Sequence, residues 1–372
     1  MKITGIRAQV LKSTEQSFQW KEEWPARPIG MLLLRILSDE GHEGHCLTWL
    51  LGPGALEDAL PGLRETLIGR DPHDVEAISY QLTDKLQRPT PVSSTVDIAI
   101  WDLIGKYHEQ PVYKLLGAAR DKVMAYASTV TYPTIQEYVD LALECRSQGF
   151  RYYKIHAFGV PEKDIAVCRA VRDAVGDTLE LMLDPVNAYD RIGAFKVGTV
   201  LEELGFYWFE APIDDTDLNG LADLSRTFKI PITAVESVAG GLRQIPPYLV
   251  NHAVDSVRSV GDLIGGITAM RKCAALCEAF NVKYEPHSYG TTLIQAAHLH
   301  VILAMHNCDL VELPVPRGIL DHGMKDTIWL DAEGYVHGPT KPGLGYEIDE
   351  DAIADLTVRE IEPATAKSSH FH

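Results

Sequence analysis

The chain has 372 residues, with 34 Lys and Arg against 52 Asp and Glu, which gives a formal net charge of −18. Its length suits one large barrel-sized domain or two ordinary domains, and its composition, 46% hydrophobic and 23% charged, is that of a globular protein. The acidic balance argues against nucleic acid as a partner, since a phosphate backbone requires clustered Lys and Arg, and against an anionic membrane surface.

The N-terminal segment MKITGIRAQVLKSTEQ lacks the apolar core of a secretory signal, and no stretch approaches the roughly 18 apolar residues of a membrane span. The six cysteines are scattered, and none forms a Cys-x-x-Cys pair. We therefore expect a reduced, cytoplasmic protein without a membrane partner.

Residues 1–120 carry a mixed pattern of strands and helices. Apolar alternation in KITGIRAQVL and MLLLRILSDEG predicts antiparallel strands, with a turn at DEGHEG. Helical patterns follow in ALEDALPGLRETLIG, HDVEAISYQLTDKL and STVDIAIWDLIGKYH. These residues are expected to form an α+β domain.

Beyond residue 120, short apolar runs alternate with helical stretches. Eight such runs occur: VMAYAST, YYKIHAF, LELMLDP, YWFEAP, ITAVES, VDSVRSVG, VKYEPHS and DLVELPVP. This alternation predicts parallel strands with crossover helices, and eight units favour a closed α/β barrel of the TIM type over an open doubly wound sheet. We assign residues 121–340 to the barrel and 341–372 to a segment that returns to the N-terminal domain.

Polar residues close successive apolar runs at a nearly constant interval, and a barrel has its active site at these C-terminal strand ends. Intervals of 26, 26, 26, 25 and 25 residues separate Asp184, Glu210, Glu236, Asp262, His287 and Glu312. One strand–helix unit is about that long, so these side chains are expected at one rim. Lys154 and His156 share a face of the second barrel strand, because side chains alternate along a strand.

Asp184, Glu210 and Glu236 would repel one another at that rim unless a cation joined them. Carboxylate ligands suit a hard divalent ion such as Mg²⁺, which could hold a substrate carboxylate and stabilise the enediolate formed when the α-proton leaves. Alternatively, each acid is a solvated loop residue or a partner in an ion pair.

Proton abstraction requires a base beside the metal. Lys154 and His156 are expected on one side of the barrel mouth, and His287 across it. A nearby cation would disfavour the charged form of Lys154 and make it a usable base. Glu312 could donate a hydrogen bond if protonated, or orient a neighbour.

The chain resembles the enolase superfamily, specifically its mandelate racemase-like subgroup. The resemblance covers nearly the whole length and is carried by SSTVDIAIWDLIGK, PVYKLLG, LMLDPVNAY, YWFEAPI, the strand of Glu236, GGIT at 265–268, EPHSYG and PGLGYEI. It implies a modified (β/α)7β TIM barrel beneath an α+β capping domain, Mg²⁺ bound by Asp184, Glu210 and Glu236, and a homo-oligomer.

The resemblance also implies roles for the remaining rim residues. The second-strand motif of the family is usually Lys-x-Lys, whereas this chain has Lys154 and His156, so either residue is a candidate base. His287 matches the family's base on the opposite face of the substrate. Glu312 matches an acid that hydrogen-bonds the substrate carboxylate in racemase-like members.

One position departs from the family pattern. The family pairs its seventh-strand histidine with an aspartate five residues before the Gly-Gly pair, and counting back from Gly265 gives Val260. Asp262, two residues later, would lie on the same side if the strand continued. We expect Asp262 to fix the tautomer of His287 and to stabilise its imidazolium.

In this family the cap covers the barrel mouth and sets specificity. Its candidate loops here are Ser13–Pro28 and Thr48–Gly54, and the candidate substrate contacts are Trp20, Lys21, Trp24 and, in the LMLDPVNAY segment, Asn187. Such residues suit a polyhydroxy acid, although the tryptophans could simply pack the cap against the barrel.

The leading hypothesis is a Mg²⁺-dependent dehydratase that converts an acid sugar into a 2-keto-3-deoxy acid. A second is a racemase or epimerase of a 2-hydroxy acid, with opposed bases on the two faces of the substrate. A third is a relative that binds metal and ligand without catalysis. All three have a small carboxylate as the binding partner.

Overall fold

The computed structural model describes residues 1–85, 89–236, 238 and 240–361. Its strands are β1 Ile3–Leu11, β2 Met31–Ser38, β3 Glu43–Thr48, β4 Lys122–Ser128, β5 Tyr152–Ile155, β6 Glu180–Leu183, β7 Trp208–Glu210, β8 Ile232–Ala234, β9 Ser256–Val257, β10 Lys283–Tyr284, β11 Leu310–Pro314, β12 Tyr335–His337 and β13 Thr357–Ile361. Its α-helices are α1 Pro53–Leu67, α2 Val75–Lys85, α3 Pro91–Tyr107, α4 Val112–Leu116, α5 Ile135–Ser147, α6 Pro161–Val175, α7 Arg191–Glu203, α8 Leu218–Thr227, α9 Pro246–Val250, α10 Gly261–Ile264, α11 Gly266–Ala279, α12 Thr292–Ala304 and α13 Glu350–Leu356.

The N-terminal region folds into a four-stranded antiparallel sheet in the order β13-β1-β2-β3. Helix α3 packs on β2 and β3 so closely that a Cβ on Gly44 would collide with the carbonyl of Ala99. The sheet is completed by the C-terminal segment, since β13 pairs with β1 and places Ile361 opposite Ala8.

The second sheet forms the barrel, and it confirms the predicted α/β architecture. Its parallel strands follow the order β10-β9-β8-β7-β6-β5-β4-β11, and β11 pairs directly with the first barrel strand, β4. Each of the eight predicted apolar runs overlaps one of these strands, although several strands are only two to four residues long. Within the described residues, no helix is long and apolar enough to cross a membrane.

The described residues show no backbone ladder between β10 and β11, and the side chain of Glu285 connects them instead. Its carboxylate accepts hydrogen bonds from the backbone N–H of Asp309 at 2.8 Å and of Leu310 at 3.1 Å. Burial raises the pKa of Glu285 to about 8. This buried acid therefore helps to close the barrel where the strands do not pair.

The GGIT segment at 265–268 joins the barrel to helix α3 of the cap. The Asp97 carboxylate of α3 accepts hydrogen bonds from Thr268 N at 3.0 Å and Thr268 Oγ1 at 2.5 Å, and Trp101 Nε1 donates to Thr268 Oγ1 at 2.9 Å. Gly266 has φ +75°, and a Cβ there would collide with Asp97. The glycine is thus required by its backbone conformation and by the close approach of the helix.

Candidate active site

Three carboxylates converge at the C-terminal ends of adjacent barrel strands. Asp184 directly follows β6, Glu210 ends β7, and Glu236 follows β8. One oxygen from each lies within 4.8 Å of the other two. A cluster of hard oxygen donors at this spacing fits a Mg²⁺ ion, which is bound in proteins through a few carboxylates and keeps further positions for water and substrate.

The backbone beside these acids is strained. Val186 (φ +53°), Asn187 (+57°), Ala211 (+38°) and Val235 (+80°) occupy left-handed conformations that are unfavourable for residues with a Cβ, and especially for β-branched valine. Strain of this kind persists where the surrounding structure fixes the backbone, and it concentrates at functional sites.

Lys154 is fully buried among the carboxylates rather than facing the cavity. Its Nζ lies 3.3 Å from Asp184 Oδ2, 2.8 Å from Glu210 Oε1 and 2.9 Å from Glu312 Oε1. Burial favours the neutral amine, but these three acids outweigh that effect and raise the pKa of Lys154 above its ordinary value. These three carboxylates favour the ammonium form of Lys154.

Arg258, which the sequence reasoning missed, is a second fully buried cation in the same cluster. Its Nε contacts the Glu210 carboxylate and lies 3.5 Å from Glu236 Oε2, and its Nη2 lies 2.5 Å from Glu312 Oε2. An arginine inside the apolar run VDSVRSVG was a usable signal, because a charged residue in a barrel strand must find a partner.

Glu312 on β11 is held by these cations and by the backbone of the neighbouring loop. Its Oε2 accepts from the backbone N–H of Ser288 at 3.0 Å and of Tyr289 at 3.1 Å. Burial would raise the pKa of Glu312, but Arg258 and Lys154 hold it well below its usual range. In this arrangement Glu312 accepts hydrogen bonds from the backbone and pairs with two cations.

Asp184 and Glu236 lie in electrostatically different surroundings. Burial disfavours the charge of both, but His156 and Lys154 overcome this at Asp184 and hold its pKa well below the usual range. At Glu236 burial raises the pKa more than the positive charge of Arg258 lowers it, and the pKa is about 8. Binding a divalent ion would keep Glu236 ionised, because a metal ligand must lose its proton.

Two histidines flank the three acids. His156 Nε2 lies 2.9 Å from Asp184 Oδ2. His287 Nε2 lies 3.8 Å from Glu236 Oε1. Burial lowers the pKa of His287 to about 3, so its imidazole is neutral near pH 7.

The structure does not form the expected hydrogen bond between Asp262 and His287. The strand does not continue to Asp262: Val260 forms an isolated parallel bridge with His287, and Asp262 lies in the short helix α10. Asp262 Oδ2 and His287 Nδ1 both lack a hydrogen-bond partner among the described residues. The prediction was wrong because it extended strand periodicity into a helical turn, and His287 Nδ1 has no carboxylate partner in the described part of the chain.

A cavity of about 260 Å³ opens above Asp184 and Glu236. His156 and His287 line it, whereas Lys154 and Glu312 do not. Aromatic side chains from both cap loops and from the barrel form much of the wall: Phe18, Trp20, Trp24, Trp49 and Tyr289. The centre of the Trp20 ring lies 5.7 Å from the centre of the Trp49 ring and 5.7 Å from that of Tyr289, which it meets edge-on. Such surfaces suit the C–H faces of a small ligand.

The cap residues proposed from the sequence fall into two groups. Trp20, Trp24 and Asn187 line the cavity, whereas Lys21 points aside, its Nζ donating to the Val186 carbonyl at 3.2 Å and lying 4.8 Å from the centre of the Trp24 ring. Arg27 is the one Lys or Arg among the described lining residues.

Two family models match the chain. One, described as mandelate racemase / muconate lactonizing enzyme, N-terminal domain, matches residues 26–117, and the other, enolase C-terminal domain-like, matches residues 137–352. Similar proteins include an arabinonate dehydratase of Saccharolobus solfataricus (29% identical, covering 86% of this chain and 89% of that protein) and a D-galactarolactone cycloisomerase of Agrobacterium fabrum (30%, 96% and 99%). The solved structure of a D-glucarate dehydratase from Agrobacterium tumefaciens, complexed with magnesium, superposes with a TM-score of 0.86 (31% identical, 96% and 100% covered).

Proposed function

Since the chain belongs to the mandelate racemase / muconate lactonizing enzyme family of the enolase superfamily, we propose that it is a Mg²⁺-dependent dehydratase of an acid sugar. The observation that carries the proposal is the convergence of Asp184, Glu210 and Glu236 beneath a cavity lined by two histidines. Two of the relatives, the arabinonate and D-glucarate dehydratases, are named for reactions of this class.

Asp184, Glu210 and Glu236 are the residues that would hold the metal. A divalent ion bound there supplies a Lewis acid for the substrate carboxylate and for the negative charge that develops when the α-proton leaves. The chain itself supplies the groups that move protons, and these must line the cavity.

His287 is the base in this proposal, and His156 is the acid. His287 lines the cavity with a neutral imidazole that can accept the α-proton. His156 lines the cavity beside Asp184 and acts as the acid in its imidazolium form. Lys154 stays charged behind the acids and stabilises them.

The proposed reaction breaks one C–H bond and one C–O bond. His287 takes the proton from the carbon next to the carboxylate, and the electron pair forms a double bond to the adjacent carbon as its hydroxyl departs. His156 gives that hydroxyl a proton, so that water leaves. The resulting enol gains a proton at the β-carbon and loses its O–H proton, which gives the 2-keto-3-deoxy acid.

A screen of mono- and diacid sugars with Mg²⁺ in D₂O tests this proposal. The panel includes a sugar-acid lactone, because one relative is a cycloisomerase. Dehydration produces a 2-keto acid with loss of water. Deuterium at the α-carbon of a substrate that keeps its hydroxyl groups would instead support a racemase or epimerase, and binding without turnover across the panel would support a non-catalytic protein.

Substitution of each histidine separates the two proton transfers. His287→Asn is expected to lose both α-proton exchange and dehydration, whereas His156→Asn should retain exchange in D₂O and lose keto-acid formation. The opposite pattern would reverse the assignment, and wild-type dehydration in both variants would refute it.

A further inference from the structure

Arg258 is a fully buried guanidinium at the centre of the carboxylate cluster, and the proposed proton transfers do not use it. It contacts Glu210 and Glu312 and lies 3.5 Å from Glu236. Its Nη1 also donates to the carbonyl of Glu285 at 3.3 Å. Arg258 does not line the cavity, so it acts on a substrate only through these groups.

The charges in the cluster are matched to a divalent ion. When Asp184, Glu210, Glu236 and Glu312 are all ionised, as metal binding requires of the ligands, the fixed cations Lys154 and Arg258 offset two of the four negative charges. The remaining formal charge of −2 equals the charge that one Mg²⁺ neutralises. Uncompensated charge is costly in a buried site, so this balance controls how strongly a cation is held.

Arg258 also links the proposed metal ligands to the segment that carries His287. Its planar guanidinium reaches carboxylates on two different strands, Glu210 on β7 and Glu312 on β11. Glu312 in turn accepts hydrogen bonds from the backbone of Ser288 and Tyr289, directly after His287. A lysine offers one ammonium at this place and cannot reproduce the fork.

We propose that Arg258 is a positioning residue that sets the net charge of the metal site and couples that site to the His287 segment. The inference rests on the proposed metal site. It explains how three fully buried or nearly buried acids, Asp184, Glu210 and Glu312, and the partly exposed Glu236 can lie in one cluster.

The test measures Mn²⁺ affinity by calorimetric titration of the metal-stripped, full-length protein and of four variants. Arg258→Met leaves a formal charge of −3 and should bind Mn²⁺ at least tenfold more tightly than wild type. Glu312→Gln leaves −1 and should bind at least tenfold more weakly. Arg258→Lys and the double variant Arg258→Met/Glu312→Gln keep −2 and should bind within threefold of wild type.

Steady-state kinetics at saturating Mg²⁺ test the coupling. Arg258→Lys should lower kcat at least tenfold while KM changes less than threefold, because the charge remains and the bridge to Glu312 is lost. Wild-type kcat in this variant would overturn the coupling role.

The Mn²⁺ affinities decide the charge role of Arg258 and the proposed metal site itself. Equal Mn²⁺ affinity in wild type, Arg258→Met and Glu312→Gln would overturn the charge role. If Arg258→Met does not fold, the comparison of Glu312→Gln with Arg258→Lys still decides it. An absence of Mn²⁺ binding by the folded wild-type protein would refute the proposed metal site, and the inference with it.

Discussion

Asp97 joins cap helix α3 to barrel helix α11, and its protonation is expected to set part of the pH dependence of stability. Its carboxyl group is buried and bonded to Thr268, and burial raises its pKa from an ordinary 3.8 to about 7. The folded state therefore prefers the protonated form. The stabilisation that protonated Asp97 gives to the folded state is fully present below about pH 4 and is lost as the pH rises through 7.

The magnitude follows from the separation of the two pKa values. Each pH unit between them changes the free energy of unfolding by about 1.4 kcal/mol, so from pH 5 to pH 7 Asp97 accounts for a loss of roughly 2–3 kcal/mol. Asp97→Asn cannot ionise, and its amide oxygen still accepts from Thr268 N. The variant should lack this part of the pH dependence.

Urea unfolding of wild type and Asp97→Asn at pH 5 and pH 7 measures the effect. The difference in unfolding free energy between the two proteins should shift by roughly 2–3 kcal/mol in favour of the variant on going to pH 7. Other titrating groups are common to both proteins and cancel. Parallel pH dependence in the two proteins would refute the argument.

Four further outcomes are expected. Gly266→Ala places a methyl group against Asp97 in a residue with φ +75°, and it should lower the melting temperature by several degrees. An unchanged melting temperature would contradict the close packing of Gly266 against Asp97. Glu285→Ala leaves two backbone N–H groups of the β10–β11 junction without their acceptor. It should lower the free energy of unfolding in urea by about 2–5 kcal/mol, and an unchanged free energy of unfolding would contradict this role. Glu210→Gln should abolish Mg²⁺-dependent turnover, and full activity would remove Glu210 from the metal site. Arg27→Gln should lower kcat/KM about tenfold more for a diacid sugar than for a monoacid sugar, because a distal carboxylate can pair with this cation; an equal loss for both substrates would exclude that contact.

The architecture was predictable because periodic patterns of apolar residues along the sequence indicate its strands and helices. Alternating apolar runs located the eight barrel strands, and the interval of 26 residues placed Asp184, Glu210 and Glu236 at equivalent strand ends. Their convergence in the structure follows from the barrel, which brings the C-terminal ends of neighbouring strands to one rim.

The side-chain environment was less predictable, because it depends on contacts between distant parts of the chain. Strand alternation put Lys154 and His156 on one face, but it could not show that three acids surround Lys154. Asp262 was misplaced because α10 begins directly after Val260. Arg258 lies inside an apolar run rather than at its end, so the pattern of polar residues at strand ends does not identify it.

The central claim is metal-assisted removal of the α-proton at the Asp184–Glu210–Glu236 site, and proton exchange in D₂O tests it most directly. Nuclear magnetic resonance follows the α-proton signal of an acid sugar identified in the screen, with metal-stripped enzyme before and after Mg²⁺ addition. We expect exchange or dehydration only after Mg²⁺ is added to wild type, and neither process with Glu210→Gln. Equal loss of the α-proton without Mg²⁺, or undiminished loss with Glu210→Gln, would contradict the account.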